Sequence, residues 1–113
     1  MQANDLAILM RTGLATAAEK EDLAAQTTAI ARAAARQYKA LPPDDRDDIA
    51  QIATVRALRR VKKWRREMGS WTTFVHMAVR AVASTWRRRL AREAEALAGY
   101  AAYIEGGEDD EQD

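Results

Sequence analysis

The stretch from Asp47 to Leu90 limits this chain to few architectures. It holds all three tryptophans, the only phenylalanine and the only histidine. It reads as two helices joined at one corner, Gly69-Ser70, because Gly suits the position just past a helix end and Ser caps the next helix. Between Arg56 and Arg92 stand twelve Lys/Arg and a single acid, Glu67. The whole chain is only +1, so the remaining segments carry about −10. Charge segregated in this way builds a basic surface between acidic ends, the electrostatic footprint of an anion binder and most often of nucleic acid.

At 113 residues there is room for one small domain. Ala, Leu, Arg and Glu are plentiful, and five Gly and two Pro are few, which points to an all-α chain. Much of the apolar content is Ala, so the core is thin. With no Cys, disulfides and thiolate metal sites are excluded, and one His cannot build a zinc site alone. No apolar run approaches the ~20 residues that cross a bilayer, and the N-terminus lacks a signal-peptide pattern, so a cytoplasmic protein is expected.

The expected fold is a small bundle of three main helices, at about 17–40, 45–68 and 71–97, with a short N-terminal helix before them. Gly13 is a natural stop for the first segment, and Thr16 with Glu19 has capping-box spacing for the next. In that helix Leu23, Ile30, Tyr38 and Leu41 are the larger apolar residues, Thr27 interrupts the row, and Ala31 and Ala34 continue it with little bulk. Pro42-Pro43 ends it, because Pro disfavours helical dihedrals in the residue before it. Asp44, Asp45, Asp47 and Asp48 follow. They read as helix-capping and solvated carboxylates rather than as a metal site.

In the next helix Ile49, Ile52, Val55, Leu58, Val61 and Trp64 recur every third residue. At about 100° per residue such a row drifts by roughly 60° each step and winds around the helix. Either this helix is central, or part of its apolar surface waits for a partner protein. Arg56, Arg59, Arg60, Lys62, Lys63, Arg65 and Arg66 fill the gaps without an intervening acid, unlike the mixed signs of an ordinary helix surface. In the last helix Trp71, Val75, Ala78, Val82, Trp86 and Leu90 form the expected core stripe, and Thr73, His76, Arg80, Ser84, Arg87 and Arg88 the opposite face. Hydroxyls, a His and arginines along one face suit a phosphate backbone or base edges. The helical domain is expected over 1–98, followed by an acidic, disordered tail over 99–113.

There is no P-loop, glycine-rich nucleotide motif or nucleophile elbow, and no base and orienter pair with His76. The sequence therefore argues against an enzyme and implies no cofactor. Trp64, Trp71 and Trp86 are expected as core anchors. Phe74 is left between burial and stacking against a base.

The order of these features resembles region two of bacterial sigma factors, the initiation factors of RNA polymerase. Asp48-Ile49-Ala50-Gln51 resembles the family's Asp-Leu-x-Gln signature on the polymerase-docking helix. Gly69-Ser70-Trp71-Thr72-Thr73-Phe74 resembles the Gly-Ser-Phe-x-x-aromatic entry to its promoter-melting helix, and Val79-Arg80 with Arg87-Arg88-Arg89 is similar to that helix's basic end. The resemblance covers about Tyr38 to Arg89. Ile52 departs from it by replacing an acid, as do Met77-Ala78, where a tryptophan pair is common, and Thr85, where an Asp is frequent.

The resemblance implies that Asp48, Gln51, Thr54 and Leu58 face core RNA polymerase, at the coiled coil of its largest subunit. It implies that Thr73, Phe74, Arg80, Arg87, Arg88 and Arg89 face promoter DNA at the minus-ten element, and the polar face of the same helix adds His76 as a DNA-binding candidate. The chain given ends without the helix-turn-helix that reads the minus-thirty-five element. This implies a single-domain, phage- or mobile-element-like transcription factor, with a second DNA-binding protein supplying that contact. Two other classes fit the residues. One is a DNA-binding adaptor such as a small terminase subunit. The other is a non-enzymatic module whose basic helices bind an acidic protein.

Overall fold

The computed structural model describes residues 1–112, and side chains through residue 106. It is all-α, with no strand among the described residues. The helices are α1 (Ala3–Thr12), α2 (Ala17–Ala35), α3 (Pro43–Arg59) and α4 (Trp71–Gln112), with 3-10 turns at Val61–Lys63 and Arg66–Met68. The chain divides into two units, Met1–Ala83 and Ser84–Asp113.

Local signals set most boundaries of the first unit. Gly13 takes a left-handed φ of 77°, and its N–H and that of Leu14 return to Met10 and Leu9 carbonyls, closing α1. Thr16 and Glu19 form the full capping box: the Glu19 N–H donates to Thr16 Oγ1 at 3.1 Å, and the Thr16 N–H to Glu19 Oε1 at 2.9 Å. At α3, Pro42 holds the cap position and Pro43 the first turn. The aspartates therefore make no capping hydrogen bond there; Asp44 and Asp45 act in the first turn through the macrodipole alone.

α2 packs against both α1 and α3. Its contact face is small: Leu23, Thr27, Ala31, Ala34 and Ala35 are buried. The α3 face is similar, with Ile49, Ala50, Ala53, Thr54 and Ala57 buried. Two Ala-lined faces bring the helix backbones close and leave the bulk of the core to Leu6, Trp64, Trp71, Val75 and Val79.

Three expected boundaries differ. α2 ends at Ala35 rather than near residue 40, and a turn follows in which the Leu41 N–H donates to Tyr38 O. That turn buries Leu41, the residue Pro42 keeps out of helical geometry. α3 ends at Arg59 rather than Met68. Along its winding row Ile49 is buried, but Ile52 and Val55 have rotated out to 42% and 48% exposure. The helix breaks at Arg60, with φ −101° and ψ 11°, and Val61 and Trp64 beyond it lie in the core, Trp64 fully buried.

α4 continues past residue 97, over Gly99 and Gly106, to Gln112. Residues 91–106 are all exposed, so this part owes nothing to burial. Its Ala, Leu, Glu and Arg are strong helix formers and outweigh two glycines at about 1 kcal/mol each. The tail expected to be disordered is thus helical over 99–106, while the side chains beyond lie outside the described residues. The buried stripe of α4 is Trp71, Val75, Val79, Val82 and Ala83. Ala78, Trp86 and Leu90, expected in it, are only half-buried.

Candidate nucleic-acid interface

The Gly69-Ser70 corner forms as its sequence dictates. Gly69 sits at φ 118°, a conformation L side chains rarely adopt. Ser70 Oγ accepts the Thr73 N–H at 3.1 Å and so caps α4. A second free amide at this helix start, that of Trp71, donates to Asn4 Oδ1 of α1 at 2.7 Å. The Trp64 indole N–H donates to Gly69 O at 3.1 Å, and the Trp71 indole N–H to Thr27 Oγ1 at 2.9 Å. Thr27, which looked like a fault in the α2 stripe, is the buried acceptor that satisfies Trp71.

Three aromatic rings lead from this core to the surface. Trp64 meets Trp71 edge-on, with centroids 5.7 Å apart and planes at 82°. Trp71 stacks on Phe74 at 5.2 Å and 21°. The two tryptophans are fully buried and Phe74 is half-buried. Burial and stacking, posed as alternatives for Phe74, are both available: the ring stacks on Trp71 and also lines a cleft of about 230 Å³. Arg56 and Arg60 from the end of α3, with Met68, Met77 and Ala78, complete much of that lining. Met77 therefore contributes a thioether where a tryptophan pair is common in the family resembled.

Thr73, His76 and Arg80 are exposed on α4 within the first unit. The Thr73 hydroxyl lies 3.1 Å from Ser70 Oγ and is thus part of the cap. Arg87, Arg88 and Arg89 are exposed in the second unit, Ser84–Asp113. There Arg88 Nε donates to Ser84 O at 3.4 Å, and Arg89 pairs with Glu93 at 3.4 Å while its guanidinium lies over the Trp86 ring. Two other cations are structural. Arg11 and Arg65 both donate to the Trp64 carbonyl, at 3.1 and 3.0 Å.

On α3, Asp48 and Gln51 are exposed and Leu58 is half-buried. Thr54 is not on that face. It is 7% exposed, and its hydroxyl donates to Ala50 O at 2.8 Å, so it packs inward with Ala50 and Ala57. Ile52 and Val55 take its place in a groove with Gln51, Arg56, Arg59 and Arg60. The every-third spacing carried this information, because it requires some members of the row to face out. Among the described residues no acidic or His cluster could hold a metal, and no helix is long and apolar enough to cross a membrane.

A family model described as Sigma-70 region 2 matches residues 30–93, more than half of the chain. The match takes in the last turns of α2, all of α3, the corner and the first part of α4. Among curated proteins and solved structures, no match was found.

Proposed function

The chain belongs to the Sigma-70 region 2 family, and from this premise we propose that it joins core RNA polymerase to the minus-ten element of promoters. The family supports a sigma-like role in transcription initiation, without enzymatic activity, and region 2 domains bind core polymerase and promoter DNA. Such a factor works in the cytoplasm, where its polymerase is.

The observation that carries the reading is the pair of surfaces on either side of the basic end of α3. On one side Ile52 and Val55 stand exposed beside Gln51. Two large aliphatics in water are a standing cost, relieved at roughly 25 cal/mol per Å² when a partner covers them. An amphipathic helix of the polymerase coiled coil would meet them with its apolar face, while Asp48 and Gln51 offer polar contacts at the edge. On the other side the half-exposed Phe74 lines a cleft with Arg56 and Arg60. Removing a base from duplex DNA costs a few kcal/mol. Stacking on an aromatic ring returns ~1–3 kcal/mol per base, and arginines at the rim hold the phosphates. Thr73, His76 and Arg80 would extend that contact. Arg87, Arg88 and Arg89 would add phosphate contacts from the second unit.

The test is capture of purified core RNA polymerase by the tagged full chain. Core enzyme should be retained by the wild type and lost with Ile52→Asp or Val55→Asp, both exposed and therefore compatible with folding. Failure of the wild-type chain to retain core polymerase, with salt-sensitive DNA binding intact, would move the protein to the DNA-adaptor class.

A further inference from the structure

Within the second unit, α4 carries an apolar face that is half-buried at Leu90 and exposed beyond it among the described residues. Leu90, Leu97 and Ile104 are seven residues apart, with Ala94 and Ala101 between them in the 4-3 spacing of a helix–helix seam. Leu97 is 69% exposed, Ile104 42%, and Tyr100, on the same side, 64%. No large residue of this stretch is buried, and small Ala at alternate seam positions permits close approach of another helix. Solvated helices of this exposure do not ordinarily keep Leu and Ile in register over two heptads.

The charges beside this seam identify its occupant. Arg87 and Glu105 are eighteen residues apart, five turns at about 3.6 residues each, so they lie on one line along the helix. Their midpoint falls beside Leu97. A second copy packed parallel would put the Arg87–Glu105 lines of the two helices on opposite sides of the seam, out of each other's reach. A second copy packed antiparallel about Leu97 sets Leu90 against Ile104 and brings each Arg87 within about 3 Å of axial register with the opposite Glu105. Both residues are exposed, and the chain's own contacts do not bring them together. We propose that this face of α4 docks antiparallel on the same face of a second copy of this chain, through Leu90, Leu97 and Ile104, with Arg87 of each copy facing Glu105 of the other. The seam is only about two heptads long, so the dimer is a reversible one in the micromolar range. The arrangement is two-fold and isologous, which closes it at two copies.

The absence of cysteine makes the test direct. Sedimentation of the full chain should show a concentration-dependent rise from 12.6 kDa toward twice that mass. Leu97→Asp should abolish the rise while leaving the unfolding midpoint unchanged at dilutions where the wild type is monomeric, since Leu97 is exposed in the single chain. Under mild oxidation Leu97→Cys alone should link to itself, and Ile104→Cys alone should not. An equimolar mixture of Leu90→Cys and Ile104→Cys should link as a heterodimer. Arg87→Glu should weaken the dimer several-fold, and adding Glu105→Arg should restore it. A chain that stays monomeric at hundreds of micromolar overturns the proposal. So does Ile104→Cys linking to itself as readily as Leu97→Cys, which is the signature of parallel packing. Neither readout involves polymerase or DNA, so this inference fails or stands independently of the transcriptional one.

Discussion

Residues 71–83 and 91–106 belong to one helix, α4, yet are helical for opposite reasons. The first segment is built on Trp71, Val75, Val79 and Val82, aromatic and β-branched residues with weak helix propensity. It is helical because that face is buried and because Ser70 and Asn4 cap its start. The second segment is rich in Ala, Leu, Glu and Arg and wholly exposed. Propensity carries it, with help from the Arg89–Glu93 pair at i, i+4 spacing. Packing fixes one conformation against alternatives, whereas propensity supplies only an average. Thr73 and Phe74, which the proposed promoter contact would need at defined positions, lie in the packed segment.

That contrast can be broken most strongly at Trp64. Its indole is fully buried, touches Trp71 and donates to Gly69 O. Trp64→Ala should cost about 3–5 kcal/mol in urea denaturation and loosen the corner with it. A smaller effect is expected at Thr27. Thr27→Val keeps the shape and removes the acceptor of the Trp71 indole N–H, which should cost about 1–3 kcal/mol. The smallest effect on global stability sharpens the comparison from the other side. A Cβ at Gly99 meets nothing within 4 Å. Gly99→Ala should therefore raise helicity by circular dichroism, favouring the local helix by about 1 kcal/mol, and leave the urea midpoint of the packed unit in place. A shift of that midpoint would show that the exposed segment is coupled to the core after all.

Much of the fold is written in short-range signals. Thr16 with Glu19, Gly13, and Gly69 with Ser70 each act on neighbours within a few residues, so each could be read from the sequence. The large anchors Trp64 and Trp71 were equally legible, because a thin Ala-rich core needs bulk. What escaped was set by partners far along the chain. Thr27 reads as an interruption until Trp71, 44 residues on, supplies its donor. No Gly or Pro marks the break at Arg60, and Val61 and Trp64 beyond it are buried. At the candidate site the same distinction holds. The motif points to Asp48, Gln51 and Phe74, which the fold leaves exposed or half-buried, and equally to Thr54, which it buries, because the motif records spacing and not which way the helix is turned. Ile52 and Val55 were visible only as a row that one face could not hold.

The amide of Trp71 capped by Asn4 ties the start of α4 to residues well before the family's own segment. Leu6 and Arg11 reinforce it, the first in the core and the second against the Trp64 carbonyl and ring. For protein engineering, residues 30–93 are consequently not a portable module in this chain. A fragment trimmed to them would expose one ring of the aromatic ladder and uncap its working helix. The ten residues of α1 serve as the far side of a brace whose near side is the corner itself.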